Sequence, residues 1–211
     1  MSDGDGGRVG LREQKKRETR ARLSWAAVRL VVERGFHNVR VEEIAEAAGV
    51  SPRTFNNYFS SKGEAIVARH LDRTLRVAEE LRHRPPAEPL WEAISHSVLA
   101  QFRPTPETAD TPVRDFEQWR AGVRLMFAEP GIQGEFLRAA ALAEAEIAAA
   151  VAGRTGTDVD RDLYPRLVAA TVMAAVNVAM QQWMRRTDHP GGVASLLTEA
   201  FAQLAAGLPT P

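Results

Sequence analysis

The nineteen residues from Val41 to Phe59, VEEIAEAAGVSPRTFNNYF, constrain this chain more than any other stretch, because their punctuation dictates a helix, a tight turn and a second helix. Val41, Ile44, Ala45 and Ala48 fall at i, i+3, i+4 and i+7, the apolar stripe of a short amphipathic helix with an acidic outer face. Gly49 follows where a chain leaving a helix turns left-handed, a conformation that glycine reaches without steric cost. Val50 then plugs the gap, Ser51 is a strong N-cap, and Pro52 suits a first helical position because its missing N–H is not needed there.

At about 100° per residue, Phe55 and Phe59 lie within roughly 40° of each other, whereas Arg53 and Asn57 fall about 160° from Phe55. The second helix is therefore expected to be anchored by two phenylalanines while presenting Arg53, Thr54, Asn56 and Asn57 outward. These are residue types that pair with guanine and adenine edges in the major groove. An ordinary helical hairpin with a polar surface would read the same way, so the flanks must decide.

The flanks carry a basic leading helix, the step Arg34, Gly35, Phe36, the run IAEAAGVS, and FSSK from Phe59 to Lys62. In this order and spacing, over roughly residues 12 to 66, the chain resembles the TetR family of bacterial repressors. The resemblance implies an all-α fold of about nine helices: an N-terminal three-helix DNA-binding domain with the helix-turn-helix, then a larger helical domain for ligand binding and dimerisation. It also implies a homodimeric, ligand-responsive transcriptional repressor on a palindromic operator of double-stranded DNA. Two features depart from the family pattern. Arg40 stands before Val41 where the family commonly has Ser or Thr, and cannot cap through a side-chain oxygen, although Glu42 and Glu43 favour the helix dipole. Asn56 and Tyr58 stand where tyrosine and histidine are common. Within the family, RTFNNYF resembles actinobacterial regulators, including mycofactocin-associated ones.

Charge distribution agrees. The 211 residues carry 27 basic and 27 acidic groups, yet residues 8–62 hold 12 Lys or Arg against 6 Glu, and residues 63–211 hold 15 against 19 acids. Arg12, Lys15, Lys16, Arg17, Arg20 and Arg22 cluster just before the helix-turn-helix. A charge run often marks a solvated face, but beside a recognition helix it points to phosphates. The expected DNA-contacting set is Arg12, Lys15, Lys16, Arg20, Arg40, Ser51, Arg53, Thr54, Asn56, Asn57, Tyr58 and Lys62. Lys62 is expected as a backbone clamp in the first turn of helix 4, behind a capping box from Ser61 to Glu64.

The remaining punctuation sets out a tail over residues 1–10, a DNA-binding domain over 11–62 and an effector and dimerisation domain over 63–211. Helix 1 is expected from about Leu11 to Arg34 and helix 4 to about Arg82, closed by His83, Arg84, Pro85 and Pro86. Helix 5 covers 88–102, Pro104 to Pro112 is a loop, helix 6 runs to about Ala128, and helix 7 follows the break at Pro130 and Gly131 to Ala152. Helices 8 (about 161–186) and 9 (about 191–206) close the chain. Helix 8 is apolar around much of its circumference and helix 9 offers Leu196, Leu197, Phe201 and Leu204; the resemblance implies that these two helices pair with their copies in a dimer.

Ligand candidates are Trp91, Phe102, Phe116, Trp119, Arg120, Val123, Arg124, Phe127 and Asn177, with Met126, Phe136, His96 and Glu117 nearby. Aromatic residues at helical spacing serve a core as readily as a pocket. Arg120 and Arg124, four apart on one helix, could together take the carboxylate or phosphate of a hydrophobic or acyl-type effector, or form a solvated face.

Cysteine is absent, which removes disulfides, thiolate metal sites and cysteine nucleophiles. The five histidines are scattered, with no HExxH, GxSxG or P-loop, and Glu144 and Glu146 point to different helix faces, so catalysis has no support and no cofactor is expected. No apolar signal core or uninterrupted run of roughly 18 apolar residues is present, which predicts a soluble, cytoplasmic protein without a membrane partner. Two rival classes remain: a ligand-independent regulator or activator, and an architectural DNA-binding protein of little sequence preference.

Overall fold

The computed structural model describes residues 5–102, 116–185 and 192–210, with side chains from residue 12 and, in the second segment, from residue 119. The loop expected over Pro104 to Pro112, and the break at Asp188 to Gly191, lie outside the described residues.

Nine α-helices and one 3-10 turn make up the described residues, and none of these residues forms a strand. They are α1 (Asp5–Arg34), the turn Phe36–Asn38, α2 (Val41–Ala47), α3 (Pro52–Asn56), α4 (Lys62–His83), α5 (Leu90–Ala100), α6 (Phe116–Ala128), α7 (Pro130–Thr155), α8 (Leu163–Arg185) and α9 (Gly192–Ala205). The all-α expectation holds. The first helix begins at Asp5, inside the segment read as a tail. Pro130 opens α7 instead of merely breaking the chain, as its ring permits at a first helical position.

The chain forms two compact units, Met1–Arg69 with Gln118–Phe136, and His70–Glu117 with Leu137–Pro211. Helices α4 and α7 each contribute to both.

In the first unit, Leu23, Ala27, Leu30 and Val31 of α1 are buried with Val39, Ile44, Ala45, Phe55 and Phe59. Gly35 ends α1 at φ +84°, its N–H bonded to the Val31 carbonyl at 2.8 Å. Helix α6 packs on α1 through Trp119 on Trp25, ring centroids 5.5 Å apart, with the Arg69 guanidinium 5.0 Å from the Trp25 ring centre. Gly122 permits that approach: a Cβ there would stand 2.6 Å from Val32 Cγ1 and 2.8 Å from the Val32 carbonyl oxygen. Ser61 Oγ donates to Glu135 of α7 at 3.2 Å, and His37 Nε2 lies 3.2 Å from Glu129.

The second unit has its own core, in which Val77, Ala78 and Leu81 of α4 meet Ile94 and Val98 of α5, Ile147 and Val151 of α7, Val168 and Val172 of α8, and Leu197 and Phe201 of α9. The breaker after α4 is knotted: Arg84 donates to both carboxylate oxygens of Glu88, His96 Nδ1 sits 2.7 Å from Glu88, and Arg154 donates to the carbonyls of Arg84, Pro85 and Glu88. The Arg84 hydrogen bond, followed by that of His96, pulls the Glu88 carboxyl down to about 2.

By length and composition α8 is apolar enough to cross a membrane, although it contains no uninterrupted apolar run of that length. Scattered polar residues such as Thr171 and Asn177 divide the run, and Pro165, Val168, Ala169, Val172 and Ala179 of this helix are buried in protein.

Gly122→Ala tests the α1 to α6 approach. Alanine is the better helix former by about 1 kcal/mol, but the backbone oxygen of Val32 cannot rotate away, and overpacking of this kind costs about 1–3 kcal/mol. A net loss of stability is expected as a lower urea midpoint with unchanged slope; a rise would show that α6 yields freely.

Candidate nucleic-acid interface

The helix-turn-helix is built from local chemistry. Arg40 has no side-chain acceptor, and the first turn of α2 is closed from the other end: Glu43 Oε2 accepts from the Arg40 N–H at 2.9 Å while its Oε1 pairs with Arg34 at 2.9 Å. The compensation expected through the helix dipole is thus a direct hydrogen bond. Gly49 takes φ +68°, and the N–H groups of Gly49 and Val50 bond back to the carbonyls of Glu46 and Ala45, closing α2 with a left-handed cap. Ser51 Oγ accepts from the Thr54 N–H at 3.1 Å and lies 2.9 Å from the Thr54 hydroxyl.

Helix α3 spans five residues, and the bond from the Phe59 N–H to the Phe55 carbonyl, 3.0 Å, carries the turn past its end. Phe55 and Phe59 are 0% and 2% exposed with rings 5.6 Å apart. Arg53, Asn56 and Asn57 are exposed on the outer side, Thr54 is half-buried against its cap, and Tyr58 is half-buried beside Phe59. Arg12, Lys15, Lys16 and Arg40 are exposed as well.

Two cations of the expected DNA-contacting set are engaged inside the head. Arg20 lies over the Phe59 ring, 4.6 Å from its centre, and its NH1 is 3.4 Å from the Tyr58 carbonyl oxygen. Lys62 Nζ donates to the carbonyls of Phe36 at 2.5 Å and Val39 at 2.9 Å, 4.2 Å from the centre of the Phe36 ring. Ser61 caps α4 by accepting from the Glu64 N–H at 2.9 Å, and Glu64 reaches back to the N–H and hydroxyl of Ser60, one residue earlier than expected. Glu43, expected to support the start of α2 through the helix dipole, does so by hydrogen bond, whereas no signal in the sequence marks its pairing with Arg34 or Phe36 as the platform under Lys62.

The ligand candidates do not converge. Trp119, Arg120, Val123, Arg124 and Phe127 belong to the first unit, where Trp119 stacks on Trp25 and Phe127 meets Phe136 edge to face. Arg120 is 3% exposed whereas Arg124 is exposed, so the two do not form one solvated face or one open anion cradle. Trp91 packs on the core of the second unit, His96 belongs to the Glu88 knot, and Asn177 is exposed, its Oδ1 3.3 Å from Gln181 Nε2. The Phe116 and Glu117 side chains lie outside the described residues.

Phe102, by contrast, lines a cavity in the second unit. From α4, His70, Arg73, Thr74 and Val77 enter it at i, i+3, i+4 and i+7, and Val98, Ile147, Val172, Met173, Val176 and Met180 complete its wall. Its volume is about 20 Å³, room for a water molecule or two. The Arg73 guanidinium lies 4.5 Å from the Phe102 ring centre. Burial first, and then Arg73, push the His70 imidazole down to about 4. The overlooked signal was that three polar residues occupy one face of α4 at core spacing.

A head with a capped turn, a buried anchor and an exposed polar reader defines a helix-turn-helix DNA-binding protein. Residues 25–68 match the model of bacterial regulatory proteins of the tetR family, and residues 88–209 match that of the MftR C-terminal domain. The HTH-type transcriptional regulator TcmR of Streptomyces glaucescens is 34% identical over 184 residues, covering 85% of this chain and 79% of that protein. The putative mycofactocin biosynthesis transcriptional regulator MftR of Mycobacterium tuberculosis is 28% identical over 95% of each. Among solved structures, the fatty acid degradation regulator FadR of Bacillus halodurans aligns at TM-score 0.57 and 16% identity, covering 92% of this chain and 97% of that one. A putative TetR-family regulator from Rhodococcus sp. aligns at 0.55 and 20% identity, over 91% and 99%. The chain belongs to the TetR family and is a DNA-binding transcriptional regulator.

His70 generates a pH prediction. Its folded-state value lies below the ordinary 6.5, so the folded chain resists a proton that the unfolded chain accepts. The associated stability is complete above about 6.5 and is lost as pH falls towards 4. Between pH 7.5 and 5, His70→Asn is expected to lose less stability than the wild type, by about 1–2 kcal/mol in urea unfolding. Parallel losses would show that His70 is protonated freely in the folded protein.

Proposed function

We propose that the chain works as a homodimeric repressor that occupies a palindromic operator and is released by a small hydrophobic or acyl-type molecule. The observation that carries the reader assignment is the division of the α3 segment: Phe55 and Phe59 are buried while Arg53, Asn56 and Asn57 are presented to solvent. Arg53 and the two asparagines are suited to guanine and adenine edges, and Arg12, Lys15, Lys16 and Arg40 to phosphates.

Dimerisation is supported by α8. Its Leu163, Leu167 and Val178 are 76%, 56% and 64% exposed, and Leu167, Ala174 and Val178 follow one another along a single stripe. Apolar side chains arranged this way on a long helix suit packing against a second copy, with α9 alongside. A two-fold axis would then pair two α3 helices on half-sites one or more DNA turns apart.

Effector action would run through α4, which carries both Lys62 in the head and the His70, Arg73 and Thr74 face of the cavity. A ligand that enters between α4 and α8 releases DNA only if it binds the non-operator arrangement more tightly than the operator-bound one. The small cavity volume favours one second reading, a regulator that acts without a small ligand.

Footprinting on the DNA flanking the protein's own gene, repeated with candidate ligands, tests the proposal; a sharp, ligand-sensitive footprint over two half-sites is expected. Persistence of that footprint with every ligand supports the second reading, and diffuse protection points to an architectural protein. Arg53→Ala should relax base preference at one position per half-site and cost about 1–3 kcal/mol on the operator. Equal losses on operator and random DNA would overturn the role of Arg53. Leu167→Glu should shift sedimentation from dimer to monomer; an intact dimer would place the interface elsewhere.

A further inference from the structure

We infer that Phe102 is a displaceable plug in the cavity beside α4, and that the molecule this cavity takes is a flat aromatic one whose ring replaces that of Phe102 over Arg73. The inference rests on the effector reading of the cavity and narrows what it accepts.

The wall has a deep side and a shallow side. Val98, Ile147 and Val172 are buried, whereas His70, Arg73 and Phe102 are half-buried, so the cavity comes nearest to solvent where Phe102 stands. Phe102 is also lightly fastened. It lies two residues past the end of α5 at Ala100, in a last turn closed by its own N–H on the Leu99 carbonyl at 3.1 Å. The turn itself is tied to α4 through the preceding residue, Arg76 Nε donating to Gln101 Oε1 at 3.1 Å. Rotation about the two side-chain torsions of Phe102 can therefore turn the ring out while the backbone stays attached. A space of about 20 Å³ then grows by the volume of a phenyl ring.

The contact that holds the ring in place sets the chemistry of what replaces it. The Arg73 guanidinium lies 4.5 Å from the Phe102 ring centre. A guanidinium is planar and weakly hydrated and stacks on aromatic faces. An occupant that expels the ring must offer Arg73 another π face or lose that contact; an aromatic molecule offers one and a saturated chain does not. The rest of the lining suits the same body. Val98, Ile147 and Val172 are apolar, and the thioethers of Met173 and Met180 re-pack readily and make favourable contacts with aromatic rings. Burial holds the His70 imidazole down to about 4, so among the residues lining the cavity Arg73 alone is charged at neutral pH.

The experiment titrates the full-length protein by calorimetry with naphthol and with decahydronaphthol, which keeps the carbon skeleton and the hydroxyl but has no π face. The wild type is expected to bind naphthol about tenfold more tightly. Phe102→Leu, which keeps apolar bulk and removes the plug's own contact with Arg73, should raise both affinities about tenfold and preserve their ratio. Arg73→Met should raise the saturated alcohol to the level of naphthol, and Phe102→Leu added to it should bring no further gain, because both changes release the same contact. General loosening of the core would instead raise both alcohols alike in Arg73→Met and would add up in the double variant. Where Arg73→Met does not fold, Arg73→Gln takes its place with the same expectation. No binding of naphthol by the wild type, equal affinities for the two alcohols, a silent Phe102→Leu or additive gains in the double variant each overturn the inference. A last measurement separates it from the effector reading: the wild type's affinity for a duplex it has selected from a random pool, with and without saturating naphthol. Naphthol bound at the expected ratio with DNA affinity unchanged sustains the plug and counts against the cavity as an effector site; a loss of DNA affinity supports both.

Discussion

A helix of five residues cannot hold itself together in water, and the reading head depends on how α3 is held. Forming a first helical turn costs more order than its one or two hydrogen bonds return. Helix α3 persists because Ser51 caps it at one end, and because Phe55 and Phe59, buried and 5.6 Å apart, fasten it to α1 and α2 at the other. Fixing those two rings fixes the rotation of the helix, and the rotation alone decides that Arg53, Asn56 and Asn57 face outward. Specificity in such a head is therefore a packing property before it is a hydrogen-bonding one.

The cations of this unit divide their labour accordingly. Residues 8–62 carry a net positive charge, and part of it is invested internally: Arg20 over Phe59, Lys62 over Phe36, Arg34 on Glu43. Each of these contacts joins elements that must keep a fixed angle for α3 to sit correctly. Arg12, Lys15, Lys16 and Arg40 stay exposed and able to meet a polyanion. Part of the basic charge counted along the chain is therefore engaged within the head, where a cation beside an aromatic face holds elements together.

What the sequence made legible follows from the range of the interactions. The helix-turn-helix, its glycine at positive φ and the Ser51 and Pro52 start are set by neighbours within four residues, and the structure has them where the sequence puts them. The all-α architecture was legible for the same reason, helix by helix. The bonds of Lys62 to Phe36 and Val39 were not, since these partners lie 26 and 23 residues away along the chain. Nor was the Arg120 and Arg124 pair: helical spacing places two arginines on adjacent turns, but the packing of α6 buries the first and leaves the second exposed. The cavity is not legible from the aromatic residues of α5, α6 and α7, because its distinctive feature is three polar side chains, His70, Arg73 and Thr74, on the core-facing stripe of α4.

That stripe also sets the terms for any ligand. The cavity, about 20 Å³, has room for little more than water, so a larger ligand would enter by displacing part of its wall. Met173 and Met180 are unbranched and can re-pack at low cost, and Phe102 rests against Arg73 at the end of α5, where a ring can swing away if another group takes its place over the guanidinium. Were such an open form a minor state of the free protein, a ligand's apparent affinity would be its intrinsic affinity reduced by the fraction open. The same tax makes the response selective. A molecule too small to keep Phe102 out gains nothing from opening the wall, and one that displaces polar contacts of the α4 face without replacing them bears their desolvation on top of it. A ligand for this cavity would have both to fill its apolar space and to match the polar face of α4.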